Sequence, residues 1–181
     1  KGKKFGWFPA ISVGWAPTQY QFFRNKNLFI NYFKIRASYG IVGNDRLTWD
    51  DSVRFPYLTL INSSGSGIWN NGAGVTETQV GSNNLRWEKA IKYNLGIDAR
   101  FFHERFDMSI DFFKDIRSGI YQQRQSVPEE MGLVTLPWAN VGKMESWGAD
   151  GHISYTQPIG DNEKYITVRA NYTQSMNKIT N

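Results

Sequence analysis

Apolar and polar residues alternate strictly along residues 89–102, which read KAIKYNLGIDARFF. Ile91, Leu95 and Ile97 occupy one set of alternate positions, and Lys92 and Asp98 occupy the other. Because successive side chains of an extended strand leave opposite faces of a sheet, this pattern predicts one long strand with an apolar and a charged face. Full charges need water or fixed polar partners, so the second face is expected to be solvated or paired.

The same alternation predicts five further strands, which makes six in all. They cover residues 8–15, 32–42, 106–116, 138–155 and 165–176. The connectors after the first, third and fifth strands are short, and the first of them could hold one helical turn beginning at Thr18. The connectors after the second and fourth strands, about 44–84 and 117–137, are long, and the former is rich in Gly, Asn and Ser and is expected to be irregular. Short turns at one rim and long loops at the other are typical of outer-membrane β-barrels.

Two architectures fit these strands. A membrane barrel would turn the apolar positions to lipid, with aromatic girdles near the strand ends. A soluble sandwich would bury the same positions under a second sheet. Sandwich strands are usually 3 to 10 residues long, and several strands here read longer, which favours the barrel. The fold class expected is all-β, an antiparallel up-and-down meander of about six long strands from a large transmembrane β-barrel.

The amino-acid composition and charge exclude several classes of protein. Aromatic residues make up 15% of the chain and the mean hydropathy is −0.49, with no apolar run near the ~20 residues of a membrane helix. Cysteine is absent, which excludes disulfides and Cys-based metal sites. The net charge of +5 comes from scattered single residues rather than a basic stripe, so nucleic acid is not an expected partner. Because the sequence begins at Lys1 and ends directly after a strand, residues 1–181 are expected to form a single partial domain.

Several stretches resemble the C-terminal barrel of SusC/RagA-type TonB-dependent transporters of Bacteroidota, in the family's order and over almost the whole chain. They are FPAISVGW at 8–15, KIRASYGIVGN at 34–44, RFPY at 54–57, NNLRWEK at 83–89, KYNLGID at 92–98, DFFK at 111–114, ANVGK at 139–143 and WGAD at 147–150. The resemblance implies late strands of a plugged 22-stranded barrel in the outer membrane, with the plug outside residues 1–181. It also implies contact with TonB through a missing N-terminal part, a SusD-like surface lipoprotein as lid, and oligosaccharides or peptides as substrates.

Aromatic and amide side chains in the long loops are candidates for contact with a glycan or with the partner lipoprotein. Planar rings stack on sugar rings, and amides hydrogen-bond hydroxyls. The candidates are Trp49, Tyr57, Trp69, Asn70, Asn71, Tyr121 and Trp138. The simpler interpretation of each ring is that it packs one loop against another.

Charged and polar residues on the solvated face are expected to line the barrel lumen and to pair across strands. They are Lys34, Arg36, Lys92, Asp98, Arg100, Asp107, Asp111, Asp150, His152 and Arg169. If Lys34, Asp98 and Asp107 shared a face with Ile35 and Leu95, this interpretation would be wrong.

No catalytic constellation is evident. His152 and Asp150 lie two positions apart on one face, but a metal site needs further ligands and none is nearby. We therefore expect no metal, no cofactor and no enzymatic activity, but gated binding and passage of a nutrient. The alternative from a different class is a soluble all-β carbohydrate-binding module that uses the same Trp-rich loops.

Overall fold

A computed structural model describes residues 5–24, 29–45, 55–69, 72–82, 84–124, 126–128, 136–160 and 164–180. Within these ranges, the side chains of residues 24, 62–69 and 72–76 are outside the description.

The described residues contain eight strands and two short helical turns. The strands are β1 (Ala10–Trp15), β2 (Ile30–Asn44), β3 (Leu60–Trp69), β4 (Gly72–Gln79), β5 (Glu88–Phe101), β6 (Phe106–Gln123), β7 (Trp138–Ile159) and β8 (Lys164–Ile179). Six of them form one antiparallel sheet in the order β1-β2-β5-β6-β7-β8, and β3 and β4 form a separate hairpin. The predicted all-β meander of six long strands is therefore confirmed.

The connector at 44–84 was expected to be irregular, and that prediction is wrong. β3 and β4 pair within it, although the register shifts three times along the hairpin. Gly and Ser disfavour strands in isolation, but backbone pairing outweighs this weak preference. β6 and β7 also run several residues past the ends expected from alternation, to Gln123 and Ile159.

The connector between β1 and β2 holds a 3-10 turn at Pro17–Gln19 and α1 at Gln21–Arg24. Thr18 lies inside the 3-10 turn and does not begin a helix as predicted. Its hydroxyl accepts a hydrogen bond from Phe33 N at 3.0 Å and donates to Phe33 O at 3.3 Å. Thr18 thus fixes the connector to β2. None of the helices among the described residues is long and apolar enough to cross a membrane.

The cross-strand register separates the two chemistries. Ile35 pairs with Ile97, and Ile97 pairs with Ile110, which defines an aliphatic face. Lys34 pairs with Asp98, one position along β2 and β5 and therefore on the opposite, polar face. Arg100 pairs with Asp107 on that polar face as well. The expectation that Lys34, Asp98 and Asp107 lie on the face opposite Ile35 and Leu95 is met in the geometry.

Both faces of the sheet are exposed. Few apolar residues among the described ones are buried: Ala99, at 1% exposure, and the two prolines Pro17 and Pro56. The accessible surface is 14409 Å², against about 8,900 Å² for a globular monomer of this mass. On the aliphatic face, the side chains of Val13, Phe112 and Val168 are 67%, 49% and 63% exposed. No second sheet covers the aliphatic face within the described residues, which argues against a sandwich.

Two rows of aromatic residues bound the aliphatic face. Tyr39 and Tyr93 are paired with ring centroids 5.2 Å apart near the long connectors, and Phe101 and Phe106 are 5.8 Å apart near the short turns. Tyr93 and Phe101 are eight residues apart, or about 27 Å along the strand. At the ~40° tilt of barrel strands, this becomes a band about 20 Å tall, close to the apolar band of outer-membrane barrels.

The turn between β5 and β6 is backbone-strained. Phe102, His103 and Glu104 all have φ between 55° and 67°, a region that costs L-residues energy. The amide of His103 donates to Asn31 Oδ1 at 2.7 Å, and the amide of Phe102 donates to Phe29 O at 3.0 Å. These bonds, to Asn31 of β2 and to Phe29 just before β2, offset the strain and hold the turn.

Candidate functional site

Arg36 is the centre of a hydrogen-bonded cluster on the polar face. Its Nε and Nη2 donate to the two carboxylate oxygens of Asp98 at 2.8 and 3.0 Å, and Nη2 also donates to Asp111 Oδ2 at 2.9 Å. The hydroxyl of Ser109 donates to Asp98 Oδ1 at 2.8 Å. Bidentate, charge-assisted bonds of this kind fix the geometry of a guanidinium group. One cation therefore joins β2, β5 and β6.

Gly96 makes this reach possible. It lies between Arg36 and Asp111 in a single cross-strand row. A Cβ at Gly96 would lie 2.8 Å from the guanidinium carbon of Arg36 and 2.5 Å from Asp111 Oδ1. The absence of a side chain at this position lets Arg36 cross β5 to reach the second carboxylate.

The cluster continues along the same face, and we call the whole set the ion-pair network. It comprises Arg36, Lys92, Asp98, Arg100, Asp107, Asp111, Asp115 and His152. Lys92 Nζ lies 3.3 Å from Asp115 Oδ2, and Arg100 Nε lies 3.1 Å from Asp107 Oδ2. All these groups are partly exposed, so each pair alone contributes modestly to stability.

His152 does not contact Asp150, the neighbour that the sequence suggested. Its Nε2 lies 3.0 Å from Asp107 Oδ1, on the adjacent strand β6. In register His152 faces Ser109, which makes Asp107 its diagonal neighbour on β6, at a separation that a long side chain can bridge. No group of three or more His, Asp or Glu side chains suited to a metal ion occurs within the described part of the chain.

Three of the predicted polar-face residues do not join the network. Lys34 and Arg169 have no carboxylate within 4.0 Å among the described residues, and Asp150 has no basic group within that distance there. Direct ion pairs of Lys34 and Arg169 are therefore not seen among the described residues, although Lys34 still acts electrostatically on Asp98. Lys34 faces Asp98 in register, but the carboxylate of Asp98 is already bonded by Arg36 and Ser109.

A second feature lies at the long-connector end of the sheet, and we call it the aromatic cleft. It has a volume of about 150 Å³. Its walls are Pro56, Thr78, Gln79, Val80, Tyr121, Leu136 and Trp138. One wall comes from the base of the β3–β4 hairpin and the other from the ends of β6 and β7.

The cleft brings together two predicted contact residues. The rings of Tyr121 and Trp138 are stacked, with centroids 5.5 Å apart and planes at 23°. Trp138 remains 38% exposed. Tyr121 lies beyond the aromatic row that bounds the aliphatic face, and burial raises the pKa of its hydroxyl further above neutral pH. The cleft thus offers an exposed indole surface beside a hydrogen-bond donor.

The structure does not place the remaining predicted contact residues in the wall of the aromatic cleft. Tyr57 follows the buried Pro56 and packs edge-on to Phe55 at 6.0 Å, but it does not line the cleft. Trp69 is described only in its backbone, as the last residue of β3. Trp49, Asn70 and Asn71 fall outside the described residues.

Backbone contacts hold the hairpin wall of the cleft in place. The amide of Ser82 donates to Pro56 O at 2.9 Å, and the side-chain amide of Gln79 donates to Phe55 O and Leu58 O at 3.3 and 3.1 Å. On the other wall, Arg124 N donates to Pro137 O at 2.9 Å. The cleft walls are therefore formed by hydrogen-bonded backbone rather than by free loops.

Asn140 fastens the segment before β5 to the ends of β6 and β7. Its side-chain amide donates to Arg86 O at 2.9 Å and to Gly119 O at 2.8 Å, and its carbonyl accepts from Arg86 N at 3.0 Å. Gly119 has φ of 71° and sits at a register shift between β6 and β7, where glycine is favoured. Two of the family-like stretches, at 83–89 and 139–143, meet at this contact.

We expect Asn140→Ala to loosen the cleft end of the sheet without unfolding the strands. Three hydrogen bonds are lost, each with a net contribution of about 0.5–1 kcal/mol at this exposed position, so a local loss of about 2 kcal/mol is expected. Hydrogen exchange of the Arg86 amide should accelerate roughly thirtyfold, while exchange at Ile97 stays unchanged. Asn140→Asp, which keeps the acceptor and loses the donors, should give an intermediate rate. Equal protection of Arg86 in both variants and the wild type would contradict this role.

Sequence reasoning missed four residues that the structure gives a role: Gly96, Ser109, Asp115 and Asn140. Asp115 and Ser109 continue the polar alternation of Asp107 and Asp111, so the pattern could have found them. Gly96 and Asn140 carry no periodic signal, since one acts by lacking a side chain and the other by bonding to backbone.

Comparison with known proteins places the chain in a family. Residues 1–181 match the family described as TonB dependent receptor-like, beta-barrel. The chain is 31% identical over 176 residues, or 97% of its length, to TonB-dependent receptor P39 of Formosa agariphila. The chain therefore belongs to the TonB-dependent receptor β-barrel family, as the resemblance implied.

Two further comparisons extend this result. The chain is 25% identical over 185 residues, or 99% of its length, to TonB-dependent receptor SusC of Bacteroides thetaiotaomicron. The RagAB peptide importer in its open-open state shares the fold, with a TM-score of 0.76 over 97% of the chain at 21% identity. The chain spans 16% to 18% of the length of these relatives. The SusC-like, all-β character expected from the sequence is confirmed.

Proposed function

We propose that residues 1–181 are late barrel strands of an outer-membrane, TonB-dependent importer of oligosaccharides or peptides. One observation carries the proposal: a single-layer sheet leaves its aliphatic face uncovered between two aromatic rows eight residues apart. Such a face is stable in a lipid bilayer and is an aggregation hazard in water. The soluble carbohydrate-binding module is not favoured, because it requires that face to be covered.

In this proposal the polar face lines the lumen, and the ion-pair network stiffens the wall there. The long connectors are extracellular and the short turns are periplasmic, as in outer-membrane barrels generally. A plug and the TonB-contacting part belong to other parts of the protein. A SusD-like surface lipoprotein covers the extracellular mouth. The relatives reported above are receptors and transporters, and passage through the barrel involves no bond chemistry.

The aromatic cleft supports a role in contacting substrate at the extracellular mouth. Its exposed indole suits the apolar face of a sugar ring or a peptide side chain, and its tyrosine hydroxyl and Gln79 amide suit polar groups beside it. Its volume of about 150 Å³ fits one such unit rather than a whole oligomer.

Uptake by the source bacterium tests the proposal. Cells with and without the gene would be given fluorescently labelled oligosaccharides and oligopeptides of defined length. We expect gene-dependent uptake of one class, abolished by a protonophore. Trp138→Ala should lower that uptake roughly three- to tenfold, from loss of ring stacking. Tyr165→Ala, an exposed tyrosine at the short-turn end, serves as the matched control and should leave uptake unchanged.

Two results would count against this function. One is correct insertion of the protein in the outer membrane with no gene-dependent, energy-dependent uptake of either class. The other is recovery of the protein as a soluble monomer.

A further inference from the structure

Basic residues gather at one end of the aliphatic face, and we call them the basic rim: Lys89, Lys114, Lys143 and Lys178. The register places them on that face, because Lys114 pairs with Tyr93, Lys89 and Lys143 each pair with Ser118, and Lys178 pairs with Glu145. All four lie toward the long connectors. Lys164 is the remaining cation on the aliphatic face of the six-stranded sheet, and it lies at the opposite end.

The basic rim carries an excess of positive charge. Glu145 is the one carboxylate on the aliphatic face within the six strands. Its two oxygens lie 3.6 Å from Lys114 Nζ and 3.7 Å from Lys143 Nζ, so it is shared between them at long range. Lys89 and Lys178 have no carboxylate within 4.0 Å among the described residues. A single acid thus faces four ammonium groups.

The height of the basic rim relative to the aromatic row is also defined. Lys114 lies in the same cross-strand row as Tyr93 and Trp147. Glu145 pairs with Ile116, two residues further from the apolar band, so the ammonium of Lys114 bends away from that band to reach it. This direction is the one expected of a lysine whose stem lies in lipid and whose charge reaches the interface. The other three lysines lie beyond this row, further from the apolar band.

We propose that the basic rim binds the phosphate-bearing headgroup of a glycolipid in the outer leaflet. This inference rests on the proposed function, since it requires the aliphatic face to be in the membrane. The rim spans three strand spacings, or about 14 Å, and four residues along the strands, or about 13 Å. That area accommodates two phosphate groups on one headgroup. Ammonium groups at the level of lipid phosphates attract them electrostatically.

The position of the rim favours a lipid over free phosphate or an acidic protein. The apolar band begins directly below Lys114, so a bound headgroup would place its acyl chains against residues such as Phe112 and Leu95, which are 49% and 46% exposed. A free anion gains nothing from those side chains, and an extracellular protein does not reach lipid-facing residues at this level. Charge and apolar contact together define an amphiphilic ligand.

Native mass spectrometry of the intact purified protein in detergent tests this inference, with bisphosphorylated lipid A as the probe. The main variant carries Lys→Gln at all four positions of the basic rim. Lys164→Gln, at the other end of the same face, is the matched control. Monophosphoryl lipid A tests the need for the second phosphate, and zwitterionic phosphatidylcholine tests the need for net negative charge; both should bind more weakly than bisphosphorylated lipid A. Inorganic phosphate at millimolar concentration tests whether a free anion competes.

We expect lipid A to bind the wild type and Lys164→Gln equally, and each lysine removed from the rim to weaken binding about fivefold. Glu145→Gln should tighten binding, because it removes the one opposing charge, and a merely unfolded variant would not do so. Unchanged binding in the four-lysine variant, equal loss in Lys164→Gln, or displacement by inorganic phosphate would overturn the inference. If the barrel inserts and imports its nutrient but ignores lipid A, only this inference fails; if it does not insert, the proposed function fails.

Discussion

Ile97→Arg should destabilise the inserted barrel by about 2–4 kcal/mol. Ile97 lies midway between the aromatic residues Tyr93 and Phe101 and pairs with Ile35 and Ile110 on the aliphatic face. An arginine there would hold its charge at the bilayer centre, where neither water nor a carboxylate reaches it. Denaturant unfolding in lipid vesicles, followed by tryptophan fluorescence, measures the change.

Two control substitutions make the interpretation specific. Thr173→Arg lies on the polar face in the same row as Gly96 and opposite Asp150, so it should change stability by no more than about 0.5 kcal/mol. Ile91→Arg lies on the aliphatic face but beyond the outer aromatic row, so it should cost no more than about 1 kcal/mol. Equal losses at Ile97, Ile91 and Thr173 would contradict a lipid-facing band.

Arg36→Met should cost about 2 kcal/mol of unfolding free energy. It leaves the carboxylates of Asp98 and Asp111 beside each other with no cation between them. Charge-assisted hydrogen bonds contribute about 1.5–3 kcal/mol each, and the 36% exposure of the Arg36 side chain lowers the total through solvent screening. The same denaturant measurement applies.

Gly96→Val should produce a similar loss by a different route. Its side chain would occupy the space that the guanidinium uses to reach Asp111. Because both substitutions break one contact, the double variant should be little worse than either single one. Additive losses, or an Arg36→Met variant as stable as the wild type, would show that the network does not tie the three strands together.

The sequence predicted the six-stranded sheet because alternation is a local signal. Residues 91–101 keep period two without interruption, and a one-residue slip would turn every charge to the aliphatic face. The assignment of Lys34, Asp98 and Asp107 to one face followed from that pattern alone. The ends of the strands were less predictable. β6 continues beyond Ile116 to Gln123, but the register shifts at Gly119, and the alternation of apolar and polar residues changes there.

The candidate site was predictable only in part, since its contacts depend on geometry between strands. The partner of His152 is Asp107, its diagonal neighbour on β6, rather than Asp150, and this depends on the alignment of β6 with β7, which one sequence does not encode locally. The stacking of Tyr121 on Trp138 likewise requires the ends of β6 and β7 to meet. Residues in contact across a sheet are far apart in sequence, and periodicity identifies their faces but not their partners.

Spin labelling along β5 tests the central claim most directly, namely that one face of the sheet meets lipid and the other an aqueous lumen. The 181 residues contain no cysteine, so single cysteines can be introduced at positions 92 to 95 and at 97. In the membrane-inserted protein, labels at 93, 95 and 97 should be relaxed by oxygen, which concentrates in lipid. Labels at 92 and 94 should respond less to oxygen and more to a water-soluble nickel complex. Loss of this alternation, or odd-numbered labels shielded from both reagents as under a second sheet, would contradict the account.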